Sequence, residues 1–152
     1  MPDQPLRIDF DTSVGFLVTS LANKLASAAS RRCRRRLGIG LMEWRVIALL
    51  AVEDEATPGR VAQVAGVDKS VVSRAVGSLE KRGLIEVSGE AQPGRQTRLT
   101  LTVRGQALHA EGIVLTYAAE DELLHGVAEK DRATVVRLLK RLGANVPRVD
   151  RL

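Results

Sequence analysis

A single cysteine, Cys33, is all that the 152 residues contain, which excludes an intrachain disulfide framework. No apolar run is long enough to span a bilayer and no signal-peptide pattern is visible, so a cytoplasmic protein without a membrane partner is expected. The chain also lacks a phosphate-cradling glycine loop, a nucleophile motif and a metal-ligand pattern. Its two histidines, His109 and His125, lie sixteen residues apart on one predicted helix. That places them about 160° around the helix, where they cannot share a metal within one chain. Enzymatic chemistry, metal ions and cofactors are therefore not expected.

What is present is the make-up of a soluble globular protein, with 45% hydrophobic and 27% charged residues. The length suits one domain, residues 1–152. Net charge is +5, unevenly spread. Residues 60–98 hold seven basic and four acidic side chains, +3, whereas each flank (1–59 and 103–152) carries +1. Such an excess on one stretch suits a phosphate-binding surface.

That stretch has an ordered grammar. Thr57 caps and Pro58 opens a short helix to Ala65, and Gly66-Val67 breaks it. Asp68 then caps a second helix, Lys69 to Arg82, which Gly83 stops. Two helices joined by a glycine-containing turn form a helix-turn-helix. At 100° per residue, Val72, Ala75, Val76 and Leu79 make one buried stripe. Ser70, Ser73, Arg74, Gly77 and Lys81 fall opposite. Hydroxyls and cations without an acid are what a helix offers to base edges and phosphates in a major groove.

After Gly83 the period drops from 3.6 to 2. Ile85 and Val87 alternate with polar neighbours, as do Leu99 and Leu101, and residues 89–97 between them read as a hairpin tip. Helix, turn, helix and a basic-tipped hairpin make a winged helix, with Arg95 or Arg98 reaching the DNA backbone or minor groove. The fold class expected is mainly α with a small β-hairpin wing (α+β).

Long helices flank this unit. Residues 1–10 are expected to be mobile or strand-like. From about Asp11 to Leu37, Val14, Leu17, Val18, Leu21, Leu25 and Ala28 share one face. Five arginines among residues 31–36 end that helix as a solvated, dipole-favoured terminus or a second phosphate contact. Leu41 to Val52 is a short buried helix with Glu43 and Arg45 as its polar side, and Glu53-Asp54-Glu55 is an acidic linker. Thr102 caps a helix to about Val127, and a last one runs from Glu129 to Leu142, ending at Gly143, with Pro147 beyond it. Residues 11–38 and 102–146 are read as dimerisation helices around a DNA-binding lobe at 41–101. A homodimer would set two recognition helices roughly 34–36 Å apart, one turn of DNA.

Three segments carry a family resemblance: LMEWRVIALL at 41–50, VAQVAGVDKSVVSRAVGSLEKRGLI at 61–85 and RLTLTVRGQAL at 98–108. Together they make residues 11–145 resemble the MarR family of bacterial transcriptional regulators. The resemblance implies a homodimer on a pseudo-palindromic operator of double-stranded DNA, usually a repressor released by a small ligand. Lys69, Ser70, Ser73 and Arg74 match the family's DNA-contacting positions, and Arg95 matches the wing-tip arginine. The wing departs from the family's Asp-x-Arg, reading Pro93-Gly94-Arg95, so the acid that braces the arginine is missing.

The family's effector cleft would involve Met42, Trp44 and His109, each with core packing as the competing role. The arginines nearby would suit an aromatic or anionic ligand. Cys33, with four arginines within two residues, is expected to have a lowered pKa and is a candidate redox sensor. Family members that sense oxidants place their cysteine near the start of the first helix, not its end. Two alternatives to a ligand-released repressor therefore stay open. They are redox regulation through Cys33 and a less specific DNA-architectural winged helix.

Overall fold

Ser13 caps the first helix by accepting the Phe16 N–H at its hydroxyl, so the helix starts at Val14, three residues later than the sequence pattern alone places it. In the computed structural model, which describes residues 7–89 and 96–151, nine elements follow in order. They are α1 (Val14–Leu37), α2 (Leu41–Glu53), β1 (Glu55–Ala56), α3 (Pro58–Ala65), α4 (Lys69–Lys81), β2 (Ile85–Ser88), β3 (Arg98–Leu101), α5 (Val103–Leu123) and α6 (Glu129–Val149). This is the mainly helical fold with a small β-wing that the periodicities predict. The expectation for residues 1–10 falls mostly outside the described residues, as does that for most of the hairpin tip.

The three strands form one antiparallel sheet in the order β1-β3-β2. Val87 faces Leu99 and Ile85 faces Leu101 across the wing, so the apolar residues of both strands share one side. β1 was not foreseen. Glu55 pairs with Thr100 and Ala56 with Leu99, so the last residue of the acidic linker belongs to the sheet. Asp54 makes the corner with a positive φ of 57°.

By packing, the chain divides into two units, one ending at Ile113 and the other beginning at Val114. The first holds the core. Val46, Ile47 and Leu50 of α2, Val61 of α3, Val72 and Leu79 of α4 and Leu99 of β3 are almost wholly buried. The stripe Val72, Ala75, Val76 and Leu79 is buried as its spacing predicts. In the second unit no described residue is buried, and Val135, Val136, Leu138, Leu139 and Leu142 of α6 remain exposed.

Two ends differ from the sequence reading. α5 stops at Leu123, which leaves His125 in the following turn. α6 does not stop at Gly143 but continues to Val149 with Pro147 inside it. Glycine ends a helix when it takes a left-handed conformation, and Gly143 has no positive φ. In a continuing helix it costs only about 1 kcal/mol relative to alanine.

Candidate nucleic-acid interface

Local caps fix the two helices of the interface. The Thr57 hydroxyl accepts the Arg60 N–H at 3.1 Å, with Pro58 at the first helical position. Gly66 closes α3 at φ 63°, a left-handed turn that a side chain would strain. Asp68 then caps α4, accepting the Ser70 N–H at 2.7 Å, and hydrogen bonding from Ser70 lowers its carboxyl pKa. The start of α4 thus carries its own anion, and the charge of the neighbouring Lys69 also favours that carboxylate.

Lys69, Ser70, Ser73, Arg74 and Lys81 are all exposed, and Gly77 between them is half-buried. Ser70, Ser73, Arg74, Gly77 and Lys81 share the face of α4 opposite the buried stripe, while Lys69, in the first turn, projects from its edge. Among the described residues no carboxylate forms an ion pair with Lys69, Arg74 or Lys81. The helix therefore presents Arg74, Lys81 and two hydroxyls on its outer face, with Lys69 at the edge beside the Asp68 carboxylate and the exposed Glu80 on the same edge. Arg95 lies outside the described residues.

Arg98 is placed differently. It opens β3 and forms an ion pair with Glu55 across the sheet. Arg60 is held in the same way, its guanidinium 2.6 Å from a Glu53 carboxylate oxygen. That pair lowers the Glu53 pKa and raises that of Arg60, through the hydrogen bonds first and charge second. Glu53 and Glu55 lie just before the basic segment 60–98. Extending that segment back to residue 53 takes in three acids and reduces +3 to zero. Positive character comes from the exposed face of α4, not from the net charge of the stretch.

Another acid was misread from sequence. Glu43, expected with Arg45 on the polar side of α2, turns inward. Its side chain is only 14% exposed, accepting the Gly40 N–H and the Ser78 hydroxyl, each at 2.5 Å. Glu43 sits three residues after the N-cap, where an acid folds back onto the cap N–H. The usual serine or threonine of that box is here Gly40, which hid the signal.

The three residues expected around an effector cleft are only partly brought together. The Trp44 indole stacks on the His109 ring, centroids 5.8 Å apart and planes 12° from parallel. Met42 is half-buried against the core. Beside Trp44 a groove of about 410 Å³ opens between α2 and α3, lined by Trp44, Arg45, Ala48, Leu49, Val52, Val61, Val64 and Ala65. Neither Met42 nor His109 lines it. His109 instead borders a smaller hollow of about 290 Å³ with Asp54, Thr100 and Gln106.

Cys33 departs from the expected lowered pKa. It is 3% exposed, and burial pushes the thiol pKa up, with the charge of Arg32 opposing but not overcoming this. Arg31, Arg34, Arg35 and Arg36 point to solvent, so most of the nearby positive charge is screened. Among the described residues no group of three His, Cys, Asp or Glu side chains gathers as a metal site would need.

Comparison with known proteins agrees with this geometry. Residues 37–96 match the sequence model of the MarR family. A MarR/EmrR family transcriptional regulator from Acinetobacter sp. ADP1 is 31% identical, over 93% of this chain and 99% of the other, with a TM-score of 0.85. The fold is shared with PcaV of Streptomyces coelicolor, solved with its natural ligand (23% identity, 93% and 99% coverage, TM-score 0.75). It is also shared with MepR of S. aureus, solved with DNA (17% identity, 91% and 99% coverage, TM-score 0.76).

Proposed function

Because this chain belongs to the MarR family of transcriptional regulators, we propose that it is a homodimeric repressor that reads a pseudo-palindromic operator and leaves it when a small ligand binds. The observation that carries the reading is the exposed strip of α4, where Lys69, Ser70, Ser73, Arg74 and Lys81 face away from the core without acidic partners among the described residues. In this reading Arg74 and the two serines approach base edges, while Lys69 and Lys81 contact phosphates. Arg98 at the stem of the wing, and Arg95 in the sequence between its two strands, are read as contacts to the adjacent backbone. Residues 41–101 act as the reading lobe, and residues 11–38 and 102–146 as the dimerisation helices.

The unburied apolar faces support a second copy as partner. On α1, Val14, Leu17, Val18, Leu21 and Leu25 are 39–55% exposed. Among the described residues from Val114 onward none is buried, and helices without a core of their own are marginal in water. A partner chain covering these faces would provide that core.

For the ligand, the groove between α2 and α3 is within the roughly 300–1,000 Å³ range of small-molecule sites. Trp44 offers it an aromatic wall and the exposed Arg45 a cation, which suits an aromatic or anionic ligand. PcaV and MepR, solved with ligand and with DNA, lend both partners to this chain by analogy of fold alone.

Selection from a pool of random duplexes tests the reading. Enrichment of an inverted repeat with half-sites about one helical turn apart is expected. Recovery of unrelated sequences would contradict it and favour a DNA-architectural role.

A further inference from the structure

Three helix ends meet at one junction on the flank of α4. Gly38 caps the end of α1, Gly40 caps the start of α2, and Ser78 and Arg82 lie one turn apart near the end of α4. Arg82 donates to the Gly38 carbonyl at 3.1 Å and stands 4.0 Å from the Glu43 carboxylate. Glu43 in turn accepts from the Gly40 N–H with one oxygen and from the Ser78 hydroxyl with the other. Each charge complements the helix dipoles it meets: the carboxylate lies at the positive start of α2, and the guanidinium at the negative ends of α1 and α4.

We propose that Glu43 is a positioning residue for base reading, fixing the roll of α4 about its own axis through Ser78 and Arg82. This rests on the assignment of α4 as the recognition helix. The buried stripe of α4 is Val72, Ala75, Val76 and Leu79, smooth side chains whose packing is non-directional. The hydrogen bonds from Ser78 to Glu43 and from Arg82 to the Gly38 carbonyl are directional, and with the Glu43–Arg82 ion pair they hold the flank between the buried stripe and the exposed strip. With side chains extending about 5–6 Å from the helix axis, a roll of about 20° moves their tips by about 2 Å. That exceeds the tolerance of a base-edge hydrogen bond but barely alters attraction to a phosphate. Removing the clamp therefore costs discrimination between sequences, not general affinity.

The experiment compares native protein, Ser78→Ala, Glu43→Gln and the double variant. Each is titrated into a duplex that the native protein selects from a random pool, and into a scrambled duplex of the same composition. For each single variant, affinity for the selected duplex falls by about tenfold, as loss of a charge-assisted hydrogen bond would give. Affinity for the scrambled duplex and the salt slope stay unchanged, because Lys69, Arg74 and Lys81 are intact. The double variant loses no more than Glu43→Gln alone, since both remove one interaction. Should Glu43→Gln not fold, Ser78→Ala, which deletes one hydroxyl at a half-buried flank, carries the test alone. Equal losses on both duplexes, or no loss on either, would overturn the proposal. A native protein that selects no sequence would instead overturn the assignment of α4 as a reader, and the proposal with it.

Discussion

Arg98 and Glu55 are diagonal neighbours across the antiparallel β1–β3 ladder, and their side chains close an ion pair over it. Glu55 stands opposite Thr100, two residues along β3 from Arg98, a spacing that long side chains bridge easily. The guanidinium is therefore partly neutralised before any DNA arrives. Glu55→Gln should release it. If Arg98 contacts phosphate, DNA affinity rises severalfold and the slope of log affinity against log salt steepens by about one. Stability should change by no more than about 1 kcal/mol, as expected for an exposed pair. A salt titration of both proteins checks this. An unchanged slope would remove Arg98 from the DNA contacts and leave it as a tie between β1 and the wing.

Arg74 has no such partner among the described residues and lies in the middle of the exposed strip. Arg74→Ala should weaken operator binding by about 1–3 kcal/mol if the side chain reads a base pair through two hydrogen bonds. Binding to scrambled DNA should change far less. Parallel titrations separate the two roles, since equal losses on both duplexes would make Arg74 a phosphate contact only.

Cys33 should react slowly with alkylating agents in the folded protein and rapidly once it is unfolded. Burial raises its folded pKa above the unfolded value of 9.0, so below that value both states keep the proton and full stability is present. As pH rises further the unfolded thiol ionises first, and stability declines through the folded pKa. Cys33→Ala should cost about 1 kcal/mol near neutrality through the small cavity it leaves. The difference from the native protein should narrow above pH 9.0. Denaturant titrations of both proteins at neutral and alkaline pH give the answer. Fast thiol modification at neutral pH in the folded state would restore the redox reading.

Gly112 of α5 is the notch into which the Trp44 indole fits, and a Cβ there would overlap the ring. Gly112→Ala should destabilise the protein by about 1–3 kcal/mol. Because Trp44 is the sole tryptophan, its emission should shift to the red as the ring is displaced from the core. Thermal unfolding and an emission spectrum test both effects. An unshifted spectrum would mean that α5 moves and the indole stays.

Much of this interface was legible in the sequence because its determinants are local. Thr57, Asp68 and Thr102 cap the helices they precede, and Gly66 takes the turn conformation expected of it. The buried stripe of α4 follows from the period of its apolar residues alone. What was missed depends on contacts distant in sequence. Glu43 finds Ser78 thirty-five positions away and Arg98 finds Glu55 forty-three positions away. Neither pairing has a periodic signature. The reversed shift of Cys33 has the same origin, since counting neighbouring arginines says nothing about which side of the helix the thiol faces. Gly143 misled because a helix-stopping glycine is defined by its φ, which the sequence does not reveal.

Titration of the purified protein into duplex DNA from upstream of its own coding sequence, beside a scrambled duplex at near-physiological salt, tests the central claim most directly. Discrimination of about 10³-fold or more between the two is predicted, as for other specific DNA readers. Equal affinity for both, falling steeply with added salt, would contradict sequence-specific regulation at that site and leave only a charge-driven contact with DNA.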